Sequence, residues 1–485
     1  MQWPRRYLLG AVLAALGCAF TSPAAAGTPQ QPARPAPEDA ALKALLDERL
    51  RNNGVGLAVG VIDENGRRVV ASGRAGDQAV RPLDGDTIFQ IGSLTKPFTT
   101  LLLADMVLRG EVGLDDPIQQ YLPSGVRIRE RGRPITLRDL ATHRSGLPSM
   151  PDNYDLSAPP DPYEAYTTEQ LYDYLRSFEP TRAPGEAGEY SNLGVALLGH
   201  LLARRAGMDY ERLLSERVLR PLGMTSSAIR PSDEQKTRLA SGHDRYLRPV
   251  RTWEMRVMPA SGSLRSTAND MLRLVGAYLG LPPSPLGPAM ALQLEERIET
   301  ARGWQALGWG VRRDGLVTHS GGKQGFRSAV AFDPARRRGV VVLANARTYD
   351  DPMALALHLL TGEPLEPAPP APARVPIAEV ESAVLDRLAG WYCLEGGARI
   401  EVARSGGHLL VHTPGSGVSE FFPTAPDAFF LDTGNDELRF ELAGPGPARR
   451  LIHYPDGRLG SATPGVRMSV SGGRRDCERR RSAGA

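Results

Sequence analysis

Ser93 and Lys96 stand in the stretch Phe89-Gln90-Ile91-Gly92-Ser93-Leu94-Thr95-Lys96-Pro97-Phe98, a hydroxyl three residues before an amine where an extended run gives way to a helix. Positions i and i+3 share a helix face, so Lys96 can sit beside the Ser93 oxygen. Pro97 suits the first helical turn but not a helix interior. A helix beginning near Ser93 leaves backbone N–H groups free and the positive end of its dipole close by. A serine held there can attack a carbonyl while nearby N–H groups receive the developing oxyanion. An N-cap serine followed by a solvated lysine is the alternative reading of an isolated pair. Lys96 is one of only four lysines (Lys43, Lys96, Lys236 and Lys323) in a chain whose other fixed cations are arginine.

Two further elements offer partners. Ala183 to Asn192 is a turn-rich loop that opens into an amphipathic helix, Leu193 to Ala206, with Gly207 as its stop. Tyr190 and Asn192 thus sit at a helix entrance, able to point into a cleft, although Asn192 could also serve simply as the N-cap. His319-Ser320-Gly321 lies on a β-rich run before the turn at Gly321 to Gly325. S-x-x-K, Tyr-x-Asn and His-Ser-Gly, in this order, resemble the three motifs of the serine β-lactamase and penicillin-binding superfamily. Phe89 to Pro97, Leu140 to Pro148, Pro184 to Leu193 and Thr318 to Phe326 resemble its class C β-lactamase-related branch, with AmpH-type D-Ala-D-Ala carboxypeptidases and endopeptidases, D-aminopeptidases and family VIII esterases. The resemblance covers roughly residues 38 to 362.

This resemblance implies roles residue by residue. Ser93 is the nucleophile that forms an acyl-enzyme. Lys96 and Tyr190 flank its hydroxyl and share the general-base role, and a protonated lysine beside the phenol favours the phenolate. Asn192 hydrogen-bonds Lys96 or a substrate amide. His319, Ser320 and Gly321 form an edge strand along which a peptide-like substrate lies. The N–H groups of Ser93 and Gly322 form the oxyanion hole. His319 stands where most β-lactamases carry lysine, and a largely neutral histidine gives up the permanent charge for a substrate carboxylate. That favours ester or peptide hydrolysis over β-lactam hydrolysis. Lys323 or Arg327 could supply the missing cation, against a plain reading of Lys323 as a solvated turn residue. His143 is tempting as an acid or base, but the resemblance makes its loop a support for the cleft.

The elements that must position these groups follow from patterning. Phe98 to Leu108 is apolar on nearly all sides and marks a buried helix ending at Gly110. Val55 to Ile62 and Arg68 to Ser72 read as a hairpin around Asp63-Glu64-Asn65-Gly66. Leu307 to Arg313, Leu316 to Ser320, Phe326 to Phe332 and Gly339 to Ala344 read as strands, and Asp351 to Leu360 as a closing helix. The β content of this domain therefore comes from the two ends of its sequence, with helices between, and hairpin-like connections make the sheet antiparallel. The fold class expected is α/β (α+β) of the β-lactamase/transpeptidase type: an antiparallel sheet flanked by helices, a helical subdomain, and a separate small all-β C-terminal domain.

Across all 485 residues the formal charge is only +3, with basic clusters confined to the ends, so a nucleic-acid groove is not indicated. Residues 1–26 read as a signal peptide: Arg5-Arg6, an apolar run from Tyr7 to Phe20, and Ala24-Ala25-Ala26 as the cleavage site. Cys18 offers a minor route to lipoprotein anchoring, and Arg5-Arg6 to twin-arginine export. Residues 27–37 form a linker expected to be disordered, 38–362 the hydrolase domain, and 363–375 a Pro/Ala linker. Residues 376–470 form a small β-barrel resembling a lipocalin-like domain, and 471–485 a disordered Arg-rich tail. In an oxidising compartment Cys393 and Cys477 can pair, with two free thiols as the alternative. No zinc-type ligand spacing occurs, so neither a metal nor another cofactor is expected. The reading is an exported, periplasmic or secreted serine hydrolase without a membrane span in the mature chain, acting on a small-molecule or peptidoglycan-peptide substrate. A β-lactamase and a non-catalytic penicillin-binding sensor are the alternatives. No G-x-S-x-G elbow is present, which sets aside an α/β-hydrolase.

Overall fold

The structure, a computed structural model, describes residues 37–76, 81–157, 161–347, 350–368, 370, 375–395, 397–431, 433–455, 463–467 and 477. The expected signal segment with Cys18, residues 27–36, and the tail apart from Cys477 lie outside the described residues.

The central sheet joins the two ends of the first domain. Strands β1 (Gly56–Asp63) and β2 (Gly66–Gly73) form the N-terminal hairpin, and β3 (Phe89–Gln90) pairs separately with β4 (Arg265–Ser266). Then come β5 (Arg297–Thr300), β6 (Gly303–Ala306), β7 (Gly310–Arg312), β8 (Val317–Lys323), β9 (Phe326–Asp333) and β10 (Arg338–Ala344). The sheet order is β2-β1-β10-β9-β8-β7-β6-β5, antiparallel throughout. Its middle strands are apolar on both sides because both faces are covered. On one face, Val59, Val61, Ala331, Val340 and Val342 pack with Leu42, Leu46, Leu355 and Leu359. On the other, Ala58, Ile62, Phe332, Val341 and Leu343 join the main core with Met271 and Val275.

The helices that frame the site are α1 (Asp39–Asn53), α2 (Thr95–Leu108), α3 (Asn192–Ala206), α4 (Ala268–Tyr278) and α5 (Pro352–Thr361). In α2 every residue from Thr95 to Met106 is buried. Its hydroxyls return to carbonyl groups: Thr99 Oγ1 donates to Ala260 O at 2.7 Å and Thr100 Oγ1 to Leu307 O at 2.9 Å. The central helix thus stays polar-satisfied inside an apolar core.

Three features differ from the sequence reading. The strand expected over Leu307 to Arg313 is shortened to β7, because Leu307 to Trp309 form the turn from β6, with Gly308 at φ +74°. A Cβ there would lie 2.3 Å from Thr100 Oγ1, so the turn is pressed against α2. Strand β5 escaped notice because Arg-Ile-Glu-Thr is largely exposed and has no clear alternation. The expected edge strand is β8, which is not the sheet edge: β7 pairs with it, but only at Val317 and Thr318. His319 to Lys323 pair with β9 alone, leaving half of an interior strand open on one side.

The C-terminal domain is a closed antiparallel barrel of β11 (Gly390–Leu394), β12 (Arg399–Ser405), β13 (His408–Thr413), β14 (Gly417–Ala425), β15 (Ala428–Leu431), β16 (Glu437–Glu441), β17 (Arg450–Tyr454) and β18 (Thr463–Arg467). Tyr392, Leu409, Phe421, Phe429, Phe440 and Leu451 fill it, with Leu385 and Leu388 of a short helix, Ser382–Leu388. The last strand is hard to read in sequence because it contains Pro464 and Gly465. Cys393 on β11 and Cys477 are disulfide-bonded, with Cα atoms 5.6 Å apart.

The barrel does not stand apart from the sheet domain. Leu410 and Val418 belong to the same buried cluster as Phe98 and Met150. Met150 N donates to Gly415 O at 2.9 Å, and Val418 N donates to the Tyr163 hydroxyl at 2.8 Å. Tyr246 meets Phe430 edge-on at 5.4 Å. Tyr163→Phe leaves the buried Val418 N–H without its acceptor, and should lower unfolding stability by about 1–3 kcal/mol in a denaturant titration. An unchanged midpoint would show that the hydroxyl does not hold the barrel.

Candidate active site

Ser93 lies in a 3-10 turn, Gly92–Leu94, immediately before α2 begins at Thr95. Two glycines let β8 press against this turn. Gly92 has φ +53°, and a Cβ on it would lie 2.6 Å from Gly322 O. A Cβ on Gly321 would lie 2.1 Å from Ile91 O, whose oxygen also accepts from Ser328 Oγ at 2.9 Å. On the far side, Ile91 N donates to Leu264 O at 3.2 Å and Leu264 N to Thr95 Oγ1 at 3.1 Å. The nucleophile's turn is therefore clamped between a strand and a loop.

Lys96 is completely buried. Its Nζ is 3.0 Å from Ser93 Oγ, 2.7 Å from Asn192 Oδ1 and 2.7 Å from Ser261 O. No carboxylate forms an ion pair with it among the described residues. Burial, assisted by the charge of Lys323, holds its pKa well below that of an ordinary lysine. A neutral amine has two N–H donors and one lone pair. Two of its three neighbours are carbonyl oxygens, which can only accept, and the third is a hydroxyl able to donate. The three neighbours satisfy an ammonium with three N–H donors or an amine whose lone pair faces the Ser93 hydroxyl, and burial favours the amine.

Tyr190 is half-exposed on its loop, yet its ring covers the lysine: Lys96 Nζ lies 4.7 Å from the ring centroid. Desolvation pushes the phenol up to about 12, while a hydrogen bond with Ser93 pulls the other way. Burial lowers the lysine's pKa and raises the phenol's, so it favours the uncharged form of both groups.

Asn192 is not the N-cap. Ser191 takes that position, accepting from Gly194 N at 2.8 Å, so Asn192 at the first helical position is free to turn inward. Its amide is oriented by Nδ2 donating to Ser149 Oγ at 3.2 Å. His143 is buried with φ +60°, accepts from Ser191 N at 3.2 Å and packs against Tyr190 at 4.5 Å. Burial holds its pKa down to about 3, so it is a neutral support under Tyr190. His319 is likewise neutral, lowered to about 4 by desolvation. Its Nδ1–H donates to Ser320 O at 2.7 Å. Ser320, Gly321 and Gly322 line the cleft beside Ser93, with Arg327 and Arg347 in the same wall.

Two contributors were invisible in the sequence. Ser261 acts through its carbonyl, and a backbone atom leaves no residue-type signature. Ser149 matters only because its loop meets α3. Among the described residues no group of three or more His, Cys, Asp or Glu side chains could hold a metal, and no helix is long and apolar enough to cross a membrane.

A serine hydroxyl on a buried lysine of lowered pKa, beside a phenol of raised pKa and a half-open strand, defines a serine hydrolase site on an α/β sheet domain. The comparisons give its family. A family model described as Beta-lactamase matches residues 40–362, and the chain belongs to that family, in its class C branch. The D-alanyl-D-alanine-carboxypeptidase/endopeptidase AmpH of Escherichia coli K12 is 32% identical over 313 residues, 60% of this chain and 80% of its own length. Penicillin-binding protein 4* of Bacillus subtilis is 27% identical over 410 residues, 78% of this chain and 87% of its own length. Among solved structures, a class C beta lactamase from Rhodobacter sphaeroides superposes with a TM-score of 0.57 at 28% identity, covering 66% of this chain and 97% of that one.

The protonation states have a consequence for pH. If Lys96 takes the Ser93 proton, acylation needs its neutral form, and the rate should rise with pH through its depressed pKa and fall as pH drops below it. The Tyr190 phenol, pushed up to about 12, should keep its proton across this range. With a neutral ester substrate, kcat/KM should climb and then stay level to at least about pH 10, with no histidine limb between pH 5 and 8. A decline beginning near pH 8 would contradict the assignment of Tyr190 as the acid.

Proposed function

We propose that this chain is an exported serine hydrolase that cleaves a D-Ala-D-Ala-type peptide or a small ester through an acyl-enzyme on Ser93. The observation that carries the reading is the buried Lys96, without a counter-ion among the described residues and within hydrogen-bond distance of the Ser93 hydroxyl. Lys96 accepts the Ser93 proton as Oγ attacks the carbonyl carbon. The N–H groups of Ser93 and Gly322 receive the oxyanion. As the tetrahedral intermediate collapses, Tyr190 gives its proton to the leaving nitrogen or oxygen and recovers one from Lys96. Water then repeats the sequence on the ester, with Lys96 again taking the proton and Ser93 restored.

A peptide or ester is favoured over a β-lactam by neutral His319, which offers no permanent charge at the third motif. Arg327 and Arg347 line the same wall and can meet the carboxylate of a leaving D-alanine. Export is supported by the leader-like residues 1–26 and by the Cys393–Cys477 disulfide, a bond that persists in oxidising compartments. A purely penicillin-sensing role is disfavoured because Ser93, Lys96, Tyr190 and Asn192 are all present and in contact distance.

Purified protein should be labelled covalently by a fluorescent penicillin, and Ser93→Ala should abolish the label. Labelling that survives the substitution would remove Ser93 from the mechanism. Turnover of a D-Ala-D-Ala peptide and a p-nitrophenyl ester should then exceed that of a chromogenic cephalosporin. The opposite order would make the enzyme a β-lactamase.

A further inference from the structure

The cleft divides at Ser93 into two lobes that share Ser93, Gly322 and Arg347. The first, about 540 Å³, is lined by Tyr190 and by Thr318 to Gly322 of β8. If Tyr190 protonates the leaving group, the leaving half of the substrate lies there. The acyl half must then occupy the second lobe, about 330 Å³, into which Asn192 and the Ser261 loop also face.

That second lobe lies at the junction of the two domains. Met150, Tyr163, Met255, Lys323 and Gln324 line it from the sheet domain, and Ser416 and Thr433 line it from the barrel. The barrel side is fixed: the turn between β13 and β14 is held by Met150 N on Gly415 O, and β14 by Tyr163 on Val418. A Cβ on Gly417 would come within 2.6 Å of the Tyr163 hydroxyl, so only glycine lets the turn sit this close.

Lys323 ends β8 inside this lobe. Its ammonium has no hydrogen bond or ion pair among the described residues. The nearest opposite charges are Glu254 and Asp161, and both are committed elsewhere. Glu254 pairs with Arg265. Asp161 accepts from Tyr163 N, Glu164 N and Glu254 N at 3.0, 3.0 and 2.8 Å. Desolvation, with Arg265 adding to it, lowers Lys323 to about 8, so it remains mostly protonated at neutral pH. Beside it, Gln324 Oε1 is buried without a donor. A half-buried cation without an anion and a buried acceptor without an N–H are complementary to one chemistry: a chain carrying a carboxylate and an amide.

We propose, resting on the function assigned above, that this lobe binds the acyl half of the substrate and that Lys323 selects acyl groups bearing a free carboxylate. Gln324 receives an N–H of the same group, and Ser416 and Thr433 of the barrel form the outer wall that limits its size. The substrate class is an acidic acyl-peptide rather than a simple uncharged ester.

Benzylpenicillin and its α-carboxylated derivative, carbenicillin, differ by one carboxylate on the acyl side and share the carboxylate of the leaving side. Their second-order acylation constants can be measured by competition with a fluorescent penicillin. The wild-type enzyme should prefer the carboxylated compound by about 10-fold or more, the scale of one charge-assisted hydrogen bond. Lys323→Gln should bring the ratio close to one, and Lys323→Arg should keep most of it. Ser416→Trp should slow acylation by both penicillins more than by p-nitrophenyl acetate. Labelling of Ser93 without a carboxylate preference, or a preference that survives Lys323→Gln, overturns this proposal alone. Failure of either penicillin to label Ser93 overturns the assigned function with it.

Discussion

Lys96 is a fully buried lysine without a carboxylate partner among the described residues, and the architecture around it holds it that way. An isolated ammonium in such a place is expensive, and burial lowers the lysine's pKa far below its ordinary value. Every element that reaches the site contributes to this state. Helix α2 buries the side chain, α3 brings the Asn192 carbonyl, and the loop before β4 brings the Ser261 carbonyl. The two acceptors occupy the amine's hydrogens, which leaves its lone pair for Ser93. A carboxylate in the place of either carbonyl would restore the charge and remove the base.

The same constraint explains the roles of the neighbours. A charged Lys96 would make Tyr190 the better base, whereas a neutral one leaves the phenol protonated and able to act as an acid. His143 and His319, each near the lysine, are kept neutral by the same desolvation, so neither competes for protons at ordinary pH. The cations of the cleft lie farther out: Arg327 in one lobe's wall, Lys323 in the other lobe, and Arg347 shared by both. Basicity is concentrated at the centre and charge recognition is placed at the rims.

The barrel is coupled to this centre through a short relay. Its Gly415 carbonyl anchors Met150, the adjoining Ser149 orients the Asn192 amide, and Asn192 holds Lys96. The second domain therefore supports the geometry of the base as well as bounding the cleft. This joins its buried contacts at Leu410 and Val418 to the chemistry rather than to stability alone.

Much of the site was legible in the sequence because the chemistry needs side chains of fixed type. A serine, a lysine one helical turn on, a Tyr-x-Asn loop and a His-Ser-Gly strand name themselves, and the apolar α2 and the paired terminal strands follow from periodicity. The short hairpin of β5 and β6 did not, since its exposed polar residues carry no pattern, and neither did β18, where Pro464 and Gly465 mask a barrel strand. The protonation of Lys96 and Tyr190 depends on desolvation, a property of what surrounds a residue and not of its type. The Ser261 carbonyl is a backbone group and carries no letter of its own. That β8 is an interior strand open over half its length depends on where β7 ends. Residue type and spacing determined which groups meet at Ser93; three-dimensional packing alone decided which of them holds the proton, because burial sets the cost of charge.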